Sequence, residues 1–352
     1  MRTAIDIPEQ LESVHAALLL GLGRVEQCFD DQLASDLPPV ARLCRHVERY
    51  RGKMLRPSLV LLGGLAAHAG ASAALNESPE AAAALWTDEH IGLAAVVEMV
   101  HMATLVHDDV LDEAEIRRRG ETVNRMTDNE TAVILGDYLI AAAYNLCSRV
   151  QGREASEAVG DAAMVMTAGE LLQLHHRGNA SLDEPTYFEI VRRKTAALIA
   201  VSCALGVAAS GAGQPLQDAL RRYGRKIGVA FQIQDDVLDL TGEERVVGKS
   251  VRRDLSKGKL TLPIIHRLST AAPLDRGALL RLIEQAAAEG PSGDAAADQL
   301  MADVRDAGSI DYARSVGERL LEEALPELEA LPAGPARDML NYSTRAVIER
   351  RF

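Results

Sequence analysis

The chain has 352 residues and a formal charge of −13, from 38 Lys and Arg against 51 Asp and Glu, with a pI near 5.2. Apolar residues make up 47% and aromatics 3%, a balance that suits closely packed helices and speaks against a β-sandwich. The acidity argues against nucleic acid as a general partner, and Cys28, Cys44, Cys147 and Cys203 form no C-x-x-C pair, so they read as reduced thiols of a cytoplasmic protein.

From the N-terminus, Met1–Asp6 carries acid early and lacks a signal peptide's apolar core. Arg51-Gly52-Lys53-Met54-Leu55-Arg56-Pro57 places cations just before an apolar helix, where helix N–H groups favour an anion. The stretch Gly70–Glu80 reads as a surface loop. Ile91–Leu111 has apolar residues on several faces and predicts a central helix. Asn129–Val150, Glu154–His176, Tyr187–Ala209 and Leu216–Leu240 follow as further helices. Thr195–Ser210 is the longest apolar run and falls short of the ~20 residues a membrane span needs. No membrane span is expected. Strand alternation with tight turns is absent, and no linker is long enough to divide the chain. The reading is an all-α protein of one domain, 1–352.

Two identical pentapeptides stand out, Asp-Asp-Val-Leu-Asp at Asp108–Asp112 and again at Asp235–Asp239. On a helix, residues i and i+4 share a face. Each copy therefore presents a pair of carboxylates, Asp108 with Asp112 and Asp235 with Asp239, that repel unless cations sit between them. Hard oxygen ligands with room for phosphate oxygens suit Mg²⁺. Cations flank both copies. Arg117-Arg118-Arg119 follows the first, and Lys249, Arg252, Arg253, Lys257 and Lys259, interspersed with Gly248 and Gly258, follow the second. Each cationic run taken alone reads as a solvated cap or face. Beside the carboxylates they suit a polyanion gripped by metal and by Lys and Arg together. Arg192-Arg193-Lys194-Thr195 interrupts an apolar helix, and His101 alone reads as a hydrogen-bonded core histidine.

Together these segments, from Gly52 to about Pro263, resemble the trans-isoprenyl diphosphate synthases, also called polyprenyl synthetases. The resemblance implies a large helical bundle around a central deep cavity. It also implies a homodimer, Mg²⁺ at three positions per site, and condensation of isopentenyl diphosphate with an allylic diphosphate. By the resemblance Asp108, Asp109, Asp112, Asp235, Asp236 and Asp239 match the metal motifs, with Asp108, Asp112 and Asp235 as the principal ligands. Lys53, Arg56, His101 and Arg118 match the isopentenyl-diphosphate pocket. Arg117, Lys194, Thr195, Gln232, Lys249 and Lys259 match the allylic-diphosphate contacts. Gly169-Glu170-Leu171-Leu172-Gln173 resembles a cavity-lining segment.

Three positions depart from the family pattern: Arg51 and Arg119 replace glycines, and Glu121 replaces a proline. Small residues at Ala103 and Thr104, with Val100 and Tyr144 as a floor, resemble enzymes whose products exceed farnesyl length. The alternatives are a farnesyl or geranylgeranyl synthase of the same family, a class I terpene cyclase, or a non-catalytic subunit. A cyclase would carry an Asn/Asp-Ser/Thr-Glu pattern where Asp235–Asp239 stands.

Overall fold

Ala- and Leu-rich segments bounded by Pro, Gly and Asp give helices in nearly every part of the chain. In the computed structural model, which describes residues 7–118, 120–150, 153–241, 253–288 and 291–349, α1 is Glu12–Leu33, α2 Pro38–Val47, α3 Leu55–Ala67, α4 Ala71–Glu77, α5 Pro79–Ala83 and α6 Asp88–Leu111. A two-stranded hairpin of β1 (Ile116–Arg117) and β2 (Gly120–Glu121) follows, then α7 (Val123–Met126), α8 (Asn129–Val150), α9 (Arg153–His175) and α10 (Glu184–Val191). A π-helical turn at Arg192–Ala196 leads into α11 (Ala197–Ala209). The rest is α12 (Gln214–Thr241), α13 (Arg253–Ser256), α14 (Leu262–Thr270), α15 (Pro273–Ala286), α16 (Pro291–Asp306), α17 (Ser309–Ala324) and α18 (Pro335–Glu349).

The chain divides into two compact units. The first comprises Met1–Ala163, Leu198–Gly224 and Ala324–Thr344; the second comprises Met164–Ala197, Arg225–Glu323 and Arg345–Phe352. The divisions at Ala163, Gly224, Glu323 and Thr344 fall inside α9, α12, α17 and α18, which is why no linker marks them in the sequence.

In the first unit α6 is buried on nearly every side, as its apolar residues predict. Its first turn is fastened by His90. The backbone N–H of Thr87 donates to His90 Nδ1 (3.3 Å), and Nε2 lies 2.9 Å from Ser210 Oγ. Ser210 spends its own proton on the Gly64 carbonyl (2.8 Å). The neutral imidazole protonated at Nε2 satisfies all of these bonds. Burial lowers its pKa to about 4. Trp86, also buried, donates from Nε1 to the Leu61 carbonyl at 2.8 Å. In the second unit, Tyr187, Val191, Ile233, Val237, Leu262, Ile264, Leu300 and Val316 belong to one apolar cluster.

The structure corrects three expectations. Gly70–Glu80 holds α4 and the start of α5, because Ala71 and Leu75 find buried positions and Ser78 Oγ caps Ala81 N–H at 3.0 Å. The short hairpin escaped notice because two residues per strand leave no alternation to detect. The most membrane-like helices by length and composition are α6 and α8 rather than the stretch after Thr195. Uninterrupted apolar runs miss them, since each mixes a few polar residues into a long apolar segment. The apolar window of α6 is 78% buried and that of α8 44%.

Candidate active site

The first unit carries the first aspartate motif at the end of α6. His101, Thr104, Leu105 and Asp108 are half-buried, while Met102, Ala103 and Val106 between them are buried. That 3–4–7 spacing is a single helical face. Asp112, the C-cap residue, continues it. Asp109 points the other way and is 1% exposed. It receives a forked pair of bonds from Arg117 Nε (2.9 Å) and Nη2 (2.7 Å). The hairpin returns the chain so that Arg117, eight residues on, reaches back to α6. The Arg117 guanidinium also lies 5.8 Å from the centre of the Tyr50 ring.

Arg118 donates to the Tyr50 carbonyl, and the Tyr50 hydroxyl accepts the Val123 N–H at 3.0 Å. Burial and nearby Asp109 push the Tyr50 phenol above its usual range. Gly52 makes this arrangement possible, since any side chain there would overlap the Arg118 guanidinium. Met54, Glu113 and Arg118 all adopt left-handed backbone, with φ of 52°, 48° and 49°. Strained non-glycine residues gathered at a cationic loop are typical of binding sites.

Arg56, His101 and Arg118, three of the four residues predicted for isopentenyl diphosphate, share one electrostatic neighbourhood. Burial first, then Arg56, Arg118 and Arg117, hold His101 well below the ordinary imidazole range, so it is neutral near pH 7. Lys53 is exposed in the turn before α3. Sequence reasoning missed Glu98. It is 2% exposed, its carboxyl is raised by burial, and Arg56, Arg118 and Arg51 oppose that rise. As the one acid within the apolar stretch Ile91–Val106, one turn before His101, it carried a readable signal. Arg51 pairs with Asp30 and stacks 4.3 Å over Phe29, so this departure from glycine ties the loop to α1. Arg119 lies outside the described residues.

Of the residues expected to set product length, Val100 and Ala103 are packed in the interior (3% and 0% exposed). Tyr144 is 39% exposed, with its ring beside Gly160 of α9. Thr104 alone among the four shares the half-buried face of Asp108.

The second unit gathers the other predicted set. The π turn carries Lys194 and Thr195, and π turns often mark functional sites. Gly169 on α9 permits the approach, since a Cβ there would lie 2.6 Å from the Lys194 backbone nitrogen. The neighbouring Glu170 pairs with Lys194. Thr195 Oγ1 donates to Gln232 Oε1 (2.8 Å), and Gln232 Nε2 donates to Asp236 Oδ1 (2.8 Å). Lys194, Thr195, Gln232, Asp236 and Lys259 line one cavity of about 120 Å³ with Tyr187 and Asp254. Burial, then nearby Asp254, raises the Asp236 pKa to about 8, and the hydrogen bonds from Tyr187 and Gln232 pull against that rise. Asp239 is 3% exposed and accepts the Asp254 N–H at 3.3 Å. Lys249 lies outside the described residues.

Among the described residues no three carboxylate, imidazole or thiolate side chains are grouped to hold a metal ion. The six aspartates of the two motifs stand in different settings. Asp109 is committed to Arg117, and Asp236 to Gln232 and Tyr187. Asp239 is buried against the Asp254 backbone. Asp108, Asp112 and Asp235 are half-buried, and their carboxylates are hard oxygen donors of the kind that a divalent cation takes.

A family model described as polyprenyl synthetase matches residues 38–300. The chain belongs to the polyprenyl synthetase family. This polyprenyl synthetase is 32% identical to heptaprenyl diphosphate synthase component 2 of Bacillus subtilis, over 93% of this chain and 87% of that one. It superposes on a decaprenyl diphosphate synthase from Rhodobacter capsulatus with a TM-score of 0.85 and 31% identity, covering 97% and 99% of the two chains. It is also similar to a polyprenyl synthase from Caulobacter crescentus complexed with calcium and isoprenyl diphosphate (TM-score 0.84, 28% identity, covering 98% and 100%). These likenesses bear out the family and the all-α fold read from the sequence.

Proposed function

We propose that this synthetase, acting over its whole length 1–352, condenses isopentenyl diphosphate with an allylic diphosphate to give a trans-polyprenyl diphosphate longer than farnesyl. The observation that carries the proposal is the cavity of the second unit, which unites Lys194, Thr195, Gln232 and Lys259 from separate stretches of sequence. The likeness to heptaprenyl and decaprenyl synthases supports the longer product. Relatives named for shorter products also match, so the length rests further on Thr104, a small residue one turn before Asp108.

The reaction joins the terminal alkene carbon of isopentenyl diphosphate to C1 of the allylic substrate, with loss of diphosphate and a proton. Arg117 in the first unit, and Lys194 and Lys259 in the second, are the cations suited to allylic diphosphate oxygens, whose charge they would offset. Thr195 offers a hydroxyl oxygen to the allylic carbon as positive charge develops. Arg56, Arg118 and Lys53 hold isopentenyl diphosphate, and neutral His101 adds a hydrogen bond. The packed apolar residues of α6 exclude water from a reactive cation. Asp108 and Asp112 in the first unit, and Asp235 in the second, are the carboxylates that would hold divalent cation, Mg²⁺ in our proposal, whose charge would neutralise the leaving diphosphate.

We further propose a homodimeric cytoplasmic enzyme in which neither α6 nor α8 is a membrane span. The printed name of the Bacillus protein, a component 2, makes a second chain the alternative. Size measurement of the purified protein in detergent-free buffer separates these readings. The function is tested by incubating the protein with isopentenyl diphosphate, Mg²⁺ and C5, C10, C15 or C20 primers, followed by chromatography. Elongated polyprenyl products that require isopentenyl diphosphate are expected. Hydrocarbon release from an allylic substrate without it would overturn the proposal in favour of a terpene cyclase.

A further inference from the structure

We infer that Tyr187 and Asp236 are positioning residues whose hydrogen bonds set the orientation of the Gln232 amide and, through it, of the Thr195 hydroxyl; the inference rests on the condensation reading above. Tyr187 comes from α10 and is 4% exposed. Its hydroxyl donates to Asp236 Oδ2 at 2.6 Å, at the short end of the O–H···O range. Asp236 Oδ1 accepts Gln232 Nε2 at 2.8 Å from one turn earlier on α12. With its NH₂ group turned to the carboxylate, the amide must present its oxygen to Thr195, which donates to it at 2.8 Å.

A primary amide is almost symmetric in shape, so packing alone does not decide between its two orientations. The carboxylate decides, and Tyr187 in turn fixes the carboxylate rotamer. Thr195 has one proton, and the relay spends it on Gln232. What the hydroxyl then shows to the cavity is lone pairs only. An electron-rich oxygen suits an allylic carbon gaining positive charge. A flipped amide would make Thr195 an acceptor from Gln232 and turn its proton outward, where it would oppose that charge. Tyr187 thus acts on the reaction through three hydrogen bonds.

Tyr187→Phe removes one hydroxyl and keeps the ring in its core position. We expect kcat to fall about tenfold with KM for both substrates within about twofold of wild type, as for an orientation defect. A second experiment reverses the polarity of the relay. Gln232→Glu alone sets two acceptors face to face and should lower kcat about a hundredfold. Adding Asp236→Asn restores a donor opposite the introduced carboxylate and an acceptor for Tyr187. The double variant should recover at least about tenfold over Gln232→Glu. Unchanged kcat in Tyr187→Phe, or losses in the double variant that simply add, overturn the relay while wild-type condensation stands. A wild-type protein that fails to condense the two diphosphates overturns both the relay and the function it rests on.

Discussion

The two copies of Asp-Asp-Val-Leu-Asp are identical in sequence and differ in what stands behind them. In the first unit the middle residue, Asp109, faces a cation and forms a forked ion pair with Arg117. In the second, Asp236 faces two neutral donors, Tyr187 and Gln232. The last residue also differs. Asp112 caps α6 and stays half-buried, whereas Asp239 lies within α12, buried against a backbone N–H. Only the leading aspartates, Asp108 and Asp235, keep a similar half-buried setting. A repeated motif therefore gives its leading aspartate a similar setting in both copies and leaves the others to be shaped by the packing around them.

The strongest challenge to that comparison addresses the leading positions. Asp108→Ala and Asp235→Ala should each slow condensation by about 10²–10³-fold, the scale of lost transition-state charge stabilisation. Far-UV circular dichroism should be unchanged, and near-normal turnover in either variant would break the equivalence of the two copies. The middle positions come next and should behave unequally. Asp109→Asn leaves the Arg117 charge mostly buried without its counterion and should cost about 3 kcal/mol in urea unfolding. Asp236→Asn keeps partners for Tyr187 and Gln232 and should cost no more than about 1 kcal/mol. Equal losses would show that both middle carboxylates are held by charge.

The pH dependence of stability sharpens the contrast between units. His90, in the first unit, has a folded pKa of about 4 against 6.5 unfolded. A depressed imidazole pKa means that the unfolded chain gains the proton first. Stability is full above 6.5 and is lost as pH falls toward 4, by up to about 3 kcal/mol. Asp236, in the second unit, has a folded pKa of about 8 against 3.8. Its sign is opposite. Its contribution is full below 3.8 and is lost as pH rises through 8. Between pH 4.5 and 6.5 the two slopes oppose and nearly cancel, so urea midpoints should be level there and should fall from about pH 6.5 to 8.5. Asp236→Asn should remove the alkaline fall and uncover a loss toward acid, whereas His90→Gln should extend the fall down to acid pH. A single variant that did both would dissolve the distinction. The smallest effect is on product length. Thr104→Phe, on the face of α6 that carries Asp108, should shift products to shorter chains by chromatography, and an unaltered distribution would remove Thr104 from that role.

Much of this was legible in the sequence because helical periodicity is local. His101, Thr104 and Asp108 fall on one face by spacing alone, and Asp109, one residue on, must face elsewhere. The cationic sets around Arg56, Arg118, Lys194 and Lys259 were legible as polar residues breaking apolar runs. Partners distant in sequence were not. Tyr187 meets Asp236 across 49 residues, and nothing in an apolar-flanked tyrosine announces an acceptor so far away. Glu98 was legible in principle, as a lone acid in an apolar helix. The helices within Gly70–Glu80 were hidden by Gly and Pro that mark helix boundaries rather than a loop.

The π turn at Arg192–Ala196 has an evolutionary consequence. Such a turn holds one residue more than an α-helix would need, so it behaves as a fixed insertion within a continuous helix. Removing any one residue from it would let the helix anneal. The flanking helices, Tyr187 included, would keep their register, but the widened turn that presents Lys194 and Thr195 would be lost. The site should therefore depend on the length of this stretch as much as on Lys194 and Thr195 themselves.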